Sequence, residues 1–117
     1  MRIAEAALRS GLSVDTIRYY EKSGIVPEIL RGPDRQRRFS QENIDWLTLL
    51  YWLRETGMPM RTMHRFANLY QAGDSTISER KQVLLAHAEH LKGRRADLDR
   101  CEQLLAHKLA IYEDIEG

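Results

Sequence analysis

The sequence predicts a mainly α protein in two parts, a small helical head over residues 1–70 and one long helix with a short tail over residues 75–117. Three observations carry this. Two short amphipathic segments, IAEAALRS and SVDTIRYYEKS, flank a Gly-containing turn, and the second shows Arg, Tyr and Lys on its outer side. A basic stretch with Gly32-Pro33-Asp34 at its middle follows them. Beyond it, Ile77, Leu84, Leu91, Leu98, Leu105 and Tyr112 recur every seven residues through a segment free of proline.

The first helix places Ile3, Ala7 and Leu8 inward and ends at Gly11. Ser13 then caps the second, because its hydroxyl can accept a hydrogen bond from a backbone N–H left unpaired in the first turn. Ile17 anchors that helix on a core, with Tyr20 and the Ile25 beyond it on the same side. At ~100° per residue, Asp15, Arg18, Tyr19 and Lys22 fall on the other side. Two short helices joined in this way read as a helix-turn-helix.

Gly24 ends the second helix and Pro27 keeps it from resuming. Residues 25–39 then form a small hairpin, the wing of a winged helix, between Glu28-Ile29-Leu30 and Arg37-Arg38-Phe39. Its basic return arm lies along a groove edge while Phe39 points back into the head. Ser40 caps a third helix, with Ile44, Leu47, Leu50 or Tyr51 and Arg54 at helical spacing, and Trp46, Leu49 and Leu53 widening the apolar face. A helix apolar over so much of its circumference is buried from two sides. Gly57 ends it. A fourth helix starts at about Pro59, carries Met63, Phe66, Ala67 and Tyr70 on one face, and stops at Gly73. Trp46, Trp52, Phe66 and Tyr70 read as core and interface packing rather than as a ligand pocket, because a head of this size needs large side chains.

From Thr76 to Ile115 a continuous helix would span about 60 Å, far longer than the head can cover. An apolar seam that its own domain cannot bury needs another chain. Gly93 argues for a break, but the seven-residue phase is unchanged on both sides of it, which favours continuity. With the seam at position d, position a holds Lys81, Ala88, Arg95, Glu102 and Leu109, a poor parallel core in which like charges meet. In an antiparallel coiled coil a layers face d layers. One register sets Leu84 against the partner's Leu109, Ala88 against the partner's Leu105 and Lys92 beside the partner's Asp99. A slip of one heptad opposes Asp99 to the partner's Asp99, so charge selects the first. The dimerisation residues are then Leu84, Ala88, Leu91, Leu98, Leu105, Leu109 and Tyr112.

Net charge is +1 over 117 residues, but it is unevenly spread. Residues 1–66 hold eleven Lys/Arg against eight Asp/Glu, and residues 67–117 seven against nine. Arg31, Arg35, Arg37 and Arg38 crowd around a single Asp34. Beside a helix-turn-helix, that concentration points to phosphate contacts. Arg18 and Tyr19 also suit phosphate oxygens, whereas Val14, Asp15 and Arg18 lie nearest the helix end that reaches base edges. The candidate DNA-contacting set is Ser13, Val14, Asp15, Thr16, Arg18, Tyr19, Lys22, Arg35, Arg37 and Arg38.

A single cysteine excludes an intramolecular disulfide framework and fits a reducing compartment. Without an apolar stretch after a charged start, or a run of ~18 apolar residues, a cytoplasmic protein is expected. No Gly-rich phosphate loop, paired carboxylates in an apolar setting, or nucleophile with an arranged base points to an enzyme.

SVDTIRYYEKSGIVP resembles the opening motif of the MerR-type transcription regulators. The agreement continues through RQRRFSQENIDWL and RETGMPM, and so covers residues 1 to about 70. The resemblance implies a homodimer in which an antiparallel helix pair joins two winged heads on double-stranded DNA. It implies an inverted-repeat operator in a promoter whose spacer is too long for RNA polymerase. An effector would change the angle between the heads and distort the DNA, at an energy of order 1–6 kcal/mol that differential effector binding can supply. It also makes Arg18, Tyr19 and Arg37 backbone contacts. The family usually carries a Gly-Tyr-Arg step in the wing. Here Arg35-Gln36-Arg37 stands instead, so the wing tip is expected to track the backbone differently.

Metal-sensing members use two or more cysteines near the far end of the long helix. Cys101 stands alone, so no soft-metal thiolate site and no cofactor are expected. His87 and His90, at i, i+3 beside Glu89, read as solvated; His64 and His107 have no partner the sequence can name. Cys101 reads as a small filler on the coiled-coil flank, with a redox or electrophile sensor helped by Arg94 and Arg100 as the alternative. No separate ligand-binding domain is expected, so any effector is expected to act on the helix pair or on its junction with the heads. Two rival functions share parts of the pattern, an architectural or excision-type winged-helix DNA binder and a coiled-coil interaction adaptor.

Overall fold

Helix α1 spans Ile3–Ser10 and α2 spans Val14–Ser23 in the computed structural model, which describes all residues 1–117. The turn between them is closed by Gly11, whose amide donates to the Ala7 carbonyl (3.0 Å) at φ 89°. A side chain at Gly11 would also be crowded, since its Cβ would lie 3.1 Å from ring carbons of Tyr51, which would have to give by a few tenths of an ångström. The inward face of α1 is Ile3, Ala6, Ala7 and Ser10. Leu8, expected inward, is 86% exposed. The helix is only two turns long and its stripe is centred on Ala6, which puts Leu8 about 200° away.

Ser13 caps α2 as expected, its Oγ accepting from the Thr16 amide (3.0 Å). At the other end the Gly24 amide donates to the Glu21 carbonyl and the Ile25 amide to that of Tyr20, which satisfies two acceptors of the last turn. Ile17, Tyr20 and Ile25 are buried together.

The wing follows as a hairpin held by few rungs. Arg31 and Arg37 form its one antiparallel bridge, the Gly32 amide donates to the Gln36 carbonyl (2.9 Å), and the Arg38 amide to that of Leu30 (2.8 Å). Its return arm then leaves the hairpin to pair with the start of the chain. The Phe39 amide donates to the Met1 carbonyl (2.7 Å), and the Met1 ammonium donates to the Phe39 carbonyl (3.0 Å). Phe39 itself is buried.

Helix α3 spans Gln41–Glu55 behind a capping box in which Ser40 and Asn43 satisfy each other's amides. Ile44, Leu47, Leu50 and Leu53 are its buried row, packed against α1 on one side and α4 (Met60–Gln71) on the other. Trp46 stacks on Phe66 (5.4 Å), lies tilted against Tyr70 (4.6 Å), and donates from its Nε1 to the Ile25 carbonyl (3.0 Å). These three aromatics are packing residues. Trp52 differs: it is 59% exposed and meets only the edge of Tyr51.

A single 3₁₀ turn, Asp74–Thr76, precedes α5, which runs unbroken from Ile77 to Glu116 through Gly93. Thr76 fastens the start of α5. Its hydroxyl contacts the Leu69 and Gly73 carbonyls and accepts from Arg80 Nε (3.0 Å), while Arg80 Nη2 donates to the Gly73 carbonyl (3.1 Å). Arg80 also sits over the Tyr70 ring (5.4 Å), and the Tyr70 hydroxyl donates to Glu42 Oε1 (3.0 Å). That bond to a carboxylate, ahead of burial, pushes the Tyr70 phenol pKa up.

Two compact units result, Met1–Val83 and Leu84–Gly117. The first takes in the opening turns of α5, because Val83 is buried in the same apolar cluster as α1–α4. In the second, Leu84, Leu98, Leu105, Leu109, Tyr112 and Ile115 are all exposed.

Candidate nucleic-acid interface

The outer face of α2 carries Asp15, Arg18, Tyr19 and Lys22, all exposed, opposite the buried Ile17 and Tyr20. Val14 and Thr16, at the helix start, are partly covered; Ser13 is exposed, and its hydroxyl donates to Thr16 Oγ1 (2.8 Å). Arg18 Nη1 lies 3.8 Å from Asp15 Oδ1, a loose contact that leaves both side chains mostly in solvent. The polar edge of the helix is therefore available, while at its N-terminal turn the Ser13 hydroxyl is already bonded to the Thr16 amide and hydroxyl.

Next to that face is a cleft of about 290 Å³ lined by Arg2, Ile3, Arg18, Arg31, Arg35, Gln36 and Arg37. Five guanidiniums converge there, from the start of the chain, from α2 and from both arms of the wing. Three of them have a carboxylate nearby, Asp34 beside Arg2, Asp15 beside Arg18 and Glu21 beside Arg37, so the cleft is basic but partly compensated from within. Planar guanidinium forks of this kind match the geometry of phosphate oxygens.

The wing's cations are not equally free. Arg37 Nε donates to Glu21 Oε1 at 2.7 Å, with the two side chains only 24% and 18% exposed. This pair joins the wing to α2 and leaves Arg37's terminal nitrogens uncommitted. Arg38 is turned onto the wing, its Nη2 donating to Asp34 Oδ2 (3.0 Å) and its guanidinium covering Gly32. Asp34 Oδ2 also accepts from Arg2 Nη2 (3.2 Å), and its Oδ1 from the Gln36 amide (3.1 Å). The Gln36 amide above all, with Arg38 and Arg2 behind it, holds the Asp34 carboxyl below its usual range.

Arg2 is the member that sequence reasoning missed. It donates to Gln36 Oε1 (2.7 Å) as well as to Asp34. Its one local clue is that it immediately precedes the first helix. Its partners lie more than thirty positions away, where no spacing rule reaches.

A model of MerR HTH family regulatory proteins matches residues 1–69, and a second, described as MerR, DNA binding, matches residues 44–108. The chain belongs to the MerR family. A Haemophilus influenzae protein described as an uncharacterized HTH-type transcriptional regulator is 38% identical over 110 residues, covering 94% of this chain and 82% of the relative. Among solved structures, HiNmlR, a MerR family regulator lacking the sensor domain and bound to promoter DNA, matches with a TM-score of 0.87. Identity is 37%, over 97% of this chain and 90% of that one. A MerR family transcriptional regulator from Bacillus thuringiensis matches with a TM-score of 0.83 at 27% identity, over 94% and 96% of the two chains.

As a MerR-family protein the chain is a DNA-binding transcriptional regulator with winged helix-turn-helix elements and a long C-terminal helix. No helix is long and apolar enough to cross a membrane. On α5, Cys101 is exposed. His87 and His90 place their rings 5.7 Å apart, and burial, then the charge of His90, pulls the His87 pKa down from its usual value.

Proposed function

We propose that this protein binds an inverted-repeat promoter operator as a homodimer and regulates transcription by distorting the DNA between its half-sites in response to an effector or stress. The observation that carries the reading is the convergence of the exposed face of α2 with the guanidinium-lined cleft beside it. In this scheme Ser13, Val14, Asp15 and Thr16 lie at the helix end nearest the bases. Arg18, Tyr19, Lys22 and the terminal nitrogens of Arg37 hold phosphates, Arg35 stands at the wing tip on the same side, and Arg38 with Asp34 stiffens the wing. Residues 1–70 form the DNA-binding part. Residues 75–117 form the dimerisation part, pairing antiparallel through Leu84, Ala88, Leu91, Leu98, Leu105, Leu109 and Tyr112. RNA polymerase at the same promoter is the partner that the distortion serves.

The exposed apolar residues of α5 favour this over an architectural binder, which has no use for a forty-residue helix with an unpaired seam. The likeness to HiNmlR, a family member solved bound to promoter DNA, supports the same assignment. Footprinting on the chain's own promoter, combined with sedimentation, tests it. Two protected half-sites and a dimer are expected, with protection lost in Arg18→Ala. A lone subunit at working concentrations, or protection indifferent to loss of one half-site, overturns it.

A further inference from the structure

The wing apex contains the one non-glycine residue of the chain with a positive φ, Arg35 at 64°. In that region a Cβ crowds the following carbonyl, and glycine is the residue that enters it freely. The conformation is fastened on both sides. The Arg35 amide donates to the Gly32 carbonyl (2.9 Å), closing the turn, and the Arg35 carbonyl accepts from Arg31 Nη1 (3.0 Å). Before and after it, Asp34 Oδ1 and the Gln36 amide hold the backbone at 3.1 Å.

The side chain has none of this fastening. Arg2, Arg18, Arg37 and Arg38 each have a carboxylate partner and Arg31 has a carbonyl, yet the exposed Arg35 guanidinium makes no hydrogen bond or ion pair. It lines the same cleft as Arg2, Arg18, Arg31 and Arg37. A position suited to glycine is thus occupied by a cation with no partner inside the molecule.

We propose that the wing holds Arg35 in this left-handed conformation so that its free guanidinium binds a backbone phosphate of duplex DNA, a contact that glycine at the apex would forgo. The inference rests on the DNA-binding reading above, and deepens it by naming a phosphate contact held at the expense of backbone strain. It separates two properties that usually move together. Arg35→Gly relaxes the backbone but removes the contact, so folding and DNA affinity respond differently. Arg35→Lys keeps a positive charge at the apex.

The experiment is fluorescence anisotropy with the full chain and a labelled mixed-sequence duplex of roughly 30 base pairs, enough for two half-sites, over a series of KCl concentrations. A mixed sequence suffices because phosphate contacts are sequence-independent. Thermal melts at fixed protomer concentration accompany it. Arg35→Gly is expected to melt no lower than the unsubstituted chain, to bind more weakly, and to lessen the slope of log K against log salt by about 0.9 per wing. Arg35→Lys is expected to restore most of that slope. Arg18→Ala is the control for the underlying reading. If Arg18→Ala weakens binding while Arg35→Gly binds with unchanged affinity and slope, the Arg35 inference falls and DNA binding stands. If both variants bind like the unsubstituted chain, the DNA-binding reading falls with it. An Arg35→Gly protein that melts well below the unsubstituted chain also overturns the inference, because the apex would then need the Arg side chain for folding.

Discussion

The Glu21–Arg37 pair is where local chemistry and the DNA-facing geometry meet, and its strength can be worked out. The two charged atoms are 2.7 Å apart, with side chains 18% and 24% exposed. At an effective dielectric of about 20, a pair so close attracts with about 6 kcal/mol. Withdrawing both ions from water offsets most of that. A hydrogen bond between charged groups retains about 1.5–3 kcal/mol. The solvent-facing Arg9–Glu5 pair at 3.0 Å should be worth only tenths of a kcal/mol. A double-mutant cycle of Glu21→Ala and Arg37→Ala in urea measures the difference, with protomer concentration held constant because dimerisation is linked to folding. The expected coupling is about 2 kcal/mol, nearly unchanged by added salt because the pair is mostly out of water. Glu21→Ala should also weaken duplex binding, although it removes a negative charge from the DNA-facing side, since the wing loses its tie to α2. A coupling below about 0.5 kcal/mol, or tighter DNA binding by Glu21→Ala, would refute this reasoning.

Four further outcomes are expected. Gly93→Ala should raise stability by about 1 kcal/mol in urea melts, because Gly93 is helical and an added Cβ meets nothing within 4 Å. Thr76→Val keeps the shape but removes the hydroxyl that contacts two carbonyls and Arg80, and should cost about 1–3 kcal/mol in the same assay. Mild oxidation should leave Cys101 unlinked to its copy, whereas efficient cross-linking in gels would point to the slipped register of the helix pair. The lowered pKa of His87 makes the unfolded chain hold the extra proton as pH drops below 6.5. The His87 contribution to stability is therefore present above that pH and is lost as pH falls through the folded value. Urea midpoints from pH 7 to 5 should show it, and His87→Gln should flatten that part of the profile.

Much of the architecture was legible because it is governed by near neighbours. Ser13 and Ser40 cap their helices through residues three positions on, and Gly24 ends α2 through carbonyls of the preceding turn. The continuity of α5 through Gly93 followed from an unbroken seven-residue phase. What was not legible depends on distant partners. Leu8 could not be placed from a two-turn helix, where the apolar stripe shifts with a single choice of centre. Trp52 lies outside the cluster that Trp46 makes with Phe66 and Tyr70, and only the packing of α3 against α4 separates the two tryptophans. In the candidate interface, the α2 face was readable from periodicity. The different commitments of Arg2, Arg35, Arg37 and Arg38 were not, since each depends on which carboxylate the fold brings near.

Gly11 has a consequence for how this sequence can drift. Its turn requires a positive φ, and the Tyr51 ring lies 3.1 Å from where a Cβ would go, closer than a side chain sits comfortably. The two demands have different origins, one in the backbone and one in the neighbouring helix. Trimming Tyr51 to make room would leave the φ penalty, and reshaping the turn would leave the ring in place. A second-site suppressor of Gly11→Ala would have to solve both at once, so single-step rescue should not be found there.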